Sequence, residues 1–112
     1  MREKQKRQIP LEEGSHQEQE ILIFSAELGT PPQIDLHKMD AQDAEHVVDR
    51  FLNDQFMAGE RVGKIIHGRG TGKLREAIHH LLQDHPLVEY YRDAQALHAV
   101  GGVTYVVLSK KD

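Results

Sequence analysis

Apolar positions recur along the chain in two rhythms. Residues 33–37, QIDLH, alternate: Ile34 and Leu36 are apolar, Asp35 and His37 polar, which is the two-residue period of a strand. Ala44, Val47, Val48, Phe51 and Leu52 then repeat at helical spacing, with Asp40 placed to cap the helix start and Gly59 to stop it. RVGKII at 61–66 reads as a second strand. A second amphipathic helix carries Leu74, Ala77, Ile78, Leu81 and Leu82, and DHP at 84–86 ends it. LVEYYRD at 87–93 and GVTYVVLS at 102–109 read as two further strands, with Gly101 and Gly102 where they join. The order is β-α-β-α-β-β. A strand–helix–strand unit favours a right-handed parallel crossover, so the strands at 34–37 and 62–66 are expected to run parallel in one sheet. Two helices cover one sheet face well, which predicts a two-layer α/β sandwich.

Ahead of this unit the rhythm fails. Residues 1 to about 19 mix both charge signs with glutamine and little apolar content, and are expected to be a mobile tail. EILIFS at 20–25 is a short apolar run, either an extra strand or a segment packed on the body. LGTPPQ then interrupts the chain, because adjacent prolines continue neither a ladder nor a helix interior. This divides the 112 residues into a tail at 1–32 and a domain at 33–109.

Composition adds exclusions. There is no cysteine, so neither disulfides nor thiolate zinc sites can form. No apolar run approaches the roughly 20 residues of a membrane span, and MREKQKRQIP lacks the apolar stretch of a secretory signal. The expected location is the cytoplasm. The net charge of −4 is unlike that of a nucleic-acid binder, but it hides a partition. Arg61, Lys64, Arg69, Lys73 and Arg75 fall within 61–75 with no acid among them, whereas 38–60 holds six acids against Lys38 and Arg50. Charges are screened over about 8 Å at physiological salt, so a basic site on an acidic body is feasible.

The basic stretch contains the candidate chemistry, HGRGTGK at 67–73. It is not a Walker A loop: the position five before Gly72 is His67, and Leu74 follows Lys73 where Ser or Thr is required. Nor is it the dinucleotide fingerprint, whose third glycine is replaced by Lys73. Glycines still let backbone N–H groups approach a ligand closely, and a loop running into a helix start favours an anion. Thr71 is placed to cap that helix, with Arg69, Lys73 and Arg75 adding charge. The bland alternative is a tight strand-to-helix turn whose glycines serve geometry alone. Asp35 and His37 share one strand face, and parallel strands would end with His37 and His67 side by side. Such a group can orient a phosphodiester, supply a general base or hold a divalent metal; the alternative is an Asp–His hydrogen bond that anchors the strand end. His79, His80 and His85 lack a completing acid or cysteine and read as surface or helix-end residues. Tyr90 and Tyr91 face opposite ways, one under a helix and the other on the surface.

IDLHKM followed thirty residues later by IIHGRGTGKLREA resembles the Smr (small MutS-related) family, whose signatures are L-D-x-H and H-G-x-G-x-G. The resemblance continues through HPLVEYYRDA and GGVTYVVL, covering about residues 33–108. It implies a fold similar to the C-terminal domain of translation initiation factor three, a four-stranded mixed sheet with two helices. It also implies nucleic-acid binding, endonuclease or nicking activity on DNA or RNA, links to repair or recombination, and action on ribosomes or within a larger MutS-like system. Asp35 and His37 match the first motif, and His67, Gly68, Gly70 and Gly72 the second. The catalytic set it implies is Asp35, His37 and His67. Lys38, Gly68, Arg69, Gly70, Thr71, Gly72, Lys73 and Arg75 would grip the backbone. The cofactor is left open, a divalent metal such as magnesium being the candidate. The family usually has glycine after the first motif, where Lys38 stands here. The reading from a different class is a non-catalytic module for structured RNA, the ribosome or branched DNA. A third is a small nucleotide held at the helix start.

Overall fold

A computed structural model describes residues 16–112. Its elements in chain order are α1 (Gln17–Glu27), β1 (Gln33–Asp35), α2 (Ala41–Met57), β2 (Val62–Ile66), α3 (Lys73–Asp84), β3 (Val88–Asp93) and β4 (Val103–Leu108). The four strands form one mixed sheet in the order β1-β2-β4-β3. β1 runs parallel to β2 with Asp35 opposite Ile66, as the strand–helix–strand unit predicts. β4 lies antiparallel between β2 and β3, with Thr104 opposite both Ile65 and Asp93.

Local chemistry explains the helix limits. Asp40 caps α2, its carboxylate accepting from the Asp43 N–H at 2.9 Å, and Gly59 follows the helix with φ of 82°. α3 ends where His85 turns extended ahead of Pro86. That histidine is then fixed by a 2.8 Å contact from Nε2 to the Asp49 carboxylate, which ties the end of α3 to α2.

α2 and α3 cover one sheet face. Ala44, Val48, Phe51 and Leu52 from α2 and Ile78 and Leu82 from α3 pack on Leu36, Ile65, Tyr91, Val106 and Leu108. The opposite face is not left open. The run at 20–25 forms no strand; it lies within α1, whose Ile23 packs on Val62, Tyr90, Val103, Tyr105 and Val107. The chain therefore adds a third helix to the expected sandwich. α1 was not legible as a helix because it has apolar residues on more than one side: Ile23 faces the sheet, while Ile21, Phe24 and Leu28 stay exposed. It also buries Tyr90, so neither tyrosine of the pair lies on the surface. The Tyr90 hydroxyl donates to Glu20 of α1 at 2.6 Å, and Arg92 holds the same carboxylate at 2.7 Å. The expected mobile tail falls partly on residues 1–15, outside the described residues; residues 17–19 are helical. Among the described residues no helix is long and apolar enough to cross a membrane.

Candidate functional site

The glycine loop begins where β2 ends. The His67 and Gly68 N–H groups both donate to the Gly102 carbonyl at 3.0 Å, which pins the loop to the β3–β4 connection. Gly68 and Gly72 then take φ of 80° and 88°, left-handed values that a side chain would disfavour. Gly72 is the N-cap of α3, and no side chain caps it there. Thr71 comes close to the expected cap, its hydroxyl accepting from the Lys73 N–H at 3.3 Å. A cleft of about 340 Å³ lies before this helix start, walled by residues 38–41 on one side and 67–75 on the other. Lys38 and Lys73 are exposed at it. First-turn amides, the positive end of a helix and two exposed cations are chemistry that favours an anion.

Asp35 and His37 stand beside this cleft. β1 is only three residues long, and Leu36 continues the pairing by donating to the Ile66 carbonyl at 2.7 Å while its side chain plugs the core. The chain turns at 36–39, so Asp35 and His37 come together on the surface. The His37 ring Nδ1 lies 2.7 Å from Asp35 Oδ1, which also accepts the His37 backbone N–H at 3.1 Å. The hydrogen bond from the His37 ring, then that from its backbone, holds the Asp35 carboxyl below the usual carboxylate range. Gly68 has no side chain because a Cβ there would lie 3.2 Å from the His37 Cβ. Hence the two motifs touch. The turn places Lys38 at φ of 69°, a conformation that glycine adopts without strain and lysine does not.

His67 does not join His37. It is buried, its Nδ1 3.0 Å from the Gly68 carbonyl and its Nε2 2.9 Å from the Thr104 hydroxyl. His79 reaches the same hydroxyl at 2.8 Å and lies 3.4 Å from Asp93, whose carboxylate is gripped through both oxygens by Arg75. Burial depresses the basicity of His67, and burial followed by the Arg75 charge takes His79 down to about 4. Arg75 is correspondingly held as a cation by its hydrogen bonds to Asp93. Arg69 is also committed elsewhere: its guanidinium donates to the carbonyls of Val100 and His98 at 2.9 and 3.0 Å and ties down the 97–100 loop.

The expected site therefore divides in two. Lys38, Gly68, Gly70, Thr71, Gly72 and Lys73 line the cleft, with the Asp35–His37 pair outside its lining but against Gly68, whereas His67, Arg69 and Arg75, also in its wall, have their functional groups bonded to other parts of the protein. Sequence reasoning missed His79, Asp93 and Thr104. One signal was available for His79: it falls four residues after Arg75 and beside Ile78 and Leu82, at the edge of the buried stripe. For magnesium the cleft offers a poor cage. That ion favours six oxygens in octahedral array, and the carboxylates here are Asp35, bonded to His37, and Asp40, engaged in capping α2.

The family model of the Smr domain matches residues 34–109. Endonuclease MutS2 of Clostridium perfringens (strain SM101 / Type A) is 40% identical over 77 residues, which are 69% of this chain and 10% of that protein. Endonuclease MutS2 of Clostridium beijerinckii is 33% identical over 108 residues, 96% of this chain and 14% of that protein. The chain thus spans about a tenth of the length of the curated relatives it matches. Among solved structures, the Smr domain of Thermus thermophilus MutS2 superposes with a TM-score of 0.68 at 33% identity, covering 70% of this chain and 98% of that one. YdaL, a stand-alone small MutS-related protein from Escherichia coli, gives 0.69 at 24% identity over 93% and 81% of the two chains, a likeness of fold.

Proposed function

The chain belongs to the Smr domain family, and from that premise we propose that it binds nucleic-acid phosphodiesters at the glycine-loop cleft and cleaves them with the Asp35–His37 pair. One observation carries the reading: a hydrogen-bonded carboxylate–imidazole pair stands against Gly68, at the edge of an uncapped helix start. The name endonuclease borne by the MutS2 relatives supports it. We take 33–109 as the Smr unit, acting in the cytoplasm alone or within a larger MutS-like system.

Each residue has a physical task. The α3 amides, Lys73 and Lys38 neutralise the non-bridging phosphate oxygens, where negative charge grows in the transition state. Asp35 accepts from His37 Nδ1–H and so fixes the tautomer in which Nε2 is the base. His37 Nε2 takes a proton from the attacking water, or from a ribose 2′-hydroxyl in RNA. The new oxygen–phosphorus bond forms as the bond to the leaving sugar oxygen breaks. That oxygen gains a proton from solvent, and His37 returns its own. Backbone contacts carry no base information, so this grip serves DNA and RNA alike.

The test compares the purified chain with Asp35→Asn and His37→Ala on supercoiled, nicked and branched DNA and on structured RNA, with and without chelator. Loss of cleavage in both variants, with retained binding, is the expected outcome. Equal cleavage by all three refutes the catalytic assignment. Binding without cleavage on every substrate makes the chain a recognition module for structured RNA, the ribosome or branched DNA, in repair or recombination or in translation.

A further inference from the structure

His67, His79 and Asp93 come from three different elements, yet each turns one ligand atom inward, and these atoms all lie within 4.8 Å of one another. We propose that this group, beneath the glycine loop and apart from the Asp35–His37 pair, binds one divalent transition ion of the zinc class. Two imidazoles and one carboxylate are borderline donors, which select zinc and its neighbours over magnesium or calcium.

The surroundings are those of a ligand set. His67 Nδ1 faces the Gly68 carbonyl at 3.0 Å, an acceptor, so Nδ1 carries the hydrogen and Nε2 presents its lone pair to the interior. A second hydrogen bond of this kind is what orients ligating histidines. The His79 ring is set edge-on against Tyr91 with centroids 5.0 Å apart. Arg75 Nε donates to Asp93 Oδ1 at 2.9 Å and Nη2 donates to Oδ2, which fixes the carboxylate with Oδ1 3.4 Å from His79 Nε2. The cation beside the carboxylate also opposes the ion, so the geometry points to exchangeable binding rather than a permanent structural metal.

The ion-free arrangement has a fixed hydrogen-bond polarity. Because His67 Nε2 has no hydrogen, the Thr104 hydroxyl donates to it and must accept from His79 Nε2–H. Loading the ion requires His79 to carry its hydrogen on Nδ1 in place of Nε2, a change of tautomer that releases no net proton. The Thr104 oxygen is then free to serve as a further ligand or to hold a bound water. An ion here would join the end of β2, the first turns of α3 and the end of β3, stiffening the loop that starts at His67.

The full chain, stripped with chelator and then freed of it, is titrated with zinc, with cobalt(II) as a visible reporter, and with magnesium. We expect one zinc per chain, a Tm that rises with zinc and not with magnesium, and binding at least about tenfold weaker in Asp93→Asn and His79→Gln. His80→Gln, an exposed neighbour, leaves all of these unchanged. Histidine ring resonances of the wild type provide a check that needs no variant: those of His67 and His79 should shift on zinc addition. Absence of saturable zinc binding, binding undiminished in both ligand variants, or shifts confined to exposed histidines overturns the proposal. None of these readouts depends on nucleic-acid cleavage.

Discussion

Acidification tests the buried network most directly, because His79 is held at about 4 against an ordinary 6.5. Burial is the main cause, and the neighbouring Arg75 charge adds to it. Between those two values the unfolded chain takes up a proton that the folded chain refuses. The depressed basicity therefore costs nothing above pH 6.5 and destabilises the fold increasingly as the pH falls towards 4. At about 1.36 kcal/mol for each pH unit of unequal proton uptake, the loss between pH 7 and pH 5 is about 2 kcal/mol from His79 alone. The side chain is only 14% exposed, so solvent screening removes little of this. His67 is shifted in the same direction by its burial and adds to the loss. The carboxylates with depressed values, Asp35 and Glu20, respond at lower pH and leave this window to the histidines. Urea denaturation of the wild type at pH 7, 6 and 5 should show a midpoint that falls at each step. His79→Gln keeps a donor for Thr104 but takes up no proton, so its midpoint should fall much less. An equal fall in both proteins, or none in the wild type, would refute the assignment.

Three other perturbations separate geometry from charge. Lys38→Gly relieves a left-handed φ of 69° and should raise stability by about 1 kcal/mol in thermal melts. The same variant should weaken nucleic-acid binding and flatten its log–log salt slope by about 0.9, as one phosphate contact disappears. Gly68→Ala should cost about 1–2 kcal/mol for its φ of 80°, and its new Cβ should displace His37, seen as a shifted His37 ring resonance. Arg69→Ala removes the guanidinium that binds the carbonyls of Val100 and His98, and amides 97–102 should then exchange hydrogen faster while those of β2 hardly change.

The surface half of the site was readable because its residues act through local backbone geometry. Asp35 and His37 meet over two residues, and the loop glycines declare their own conformations; both follow from spacing and residue type. The inner half was not readable. Arg75 looks like a phosphate-binding cation along the chain, but its partner Asp93 lies on another element, 18 residues away. His67 looks like a neighbour of His37 until the loop bends, its ring turns inward and Thr104, 37 residues on, takes its Nε2.

By itself the sequence determined the α/β sandwich, the parallel β1–β2 pair, the caps of α2 and the juxtaposition of the two Smr motifs. Those features depend on period, capping chemistry and glycine, all of which operate over a few residues. Only the tertiary structure decided which cations remain available, where His67 points, and that α1 covers the second face of the sheet. The physical reason is that a charge or an imidazole has no preferred partner of its own. Its role is set by which opposite charge, hydroxyl or apolar surface the packing of separate elements brings within a few ångströms.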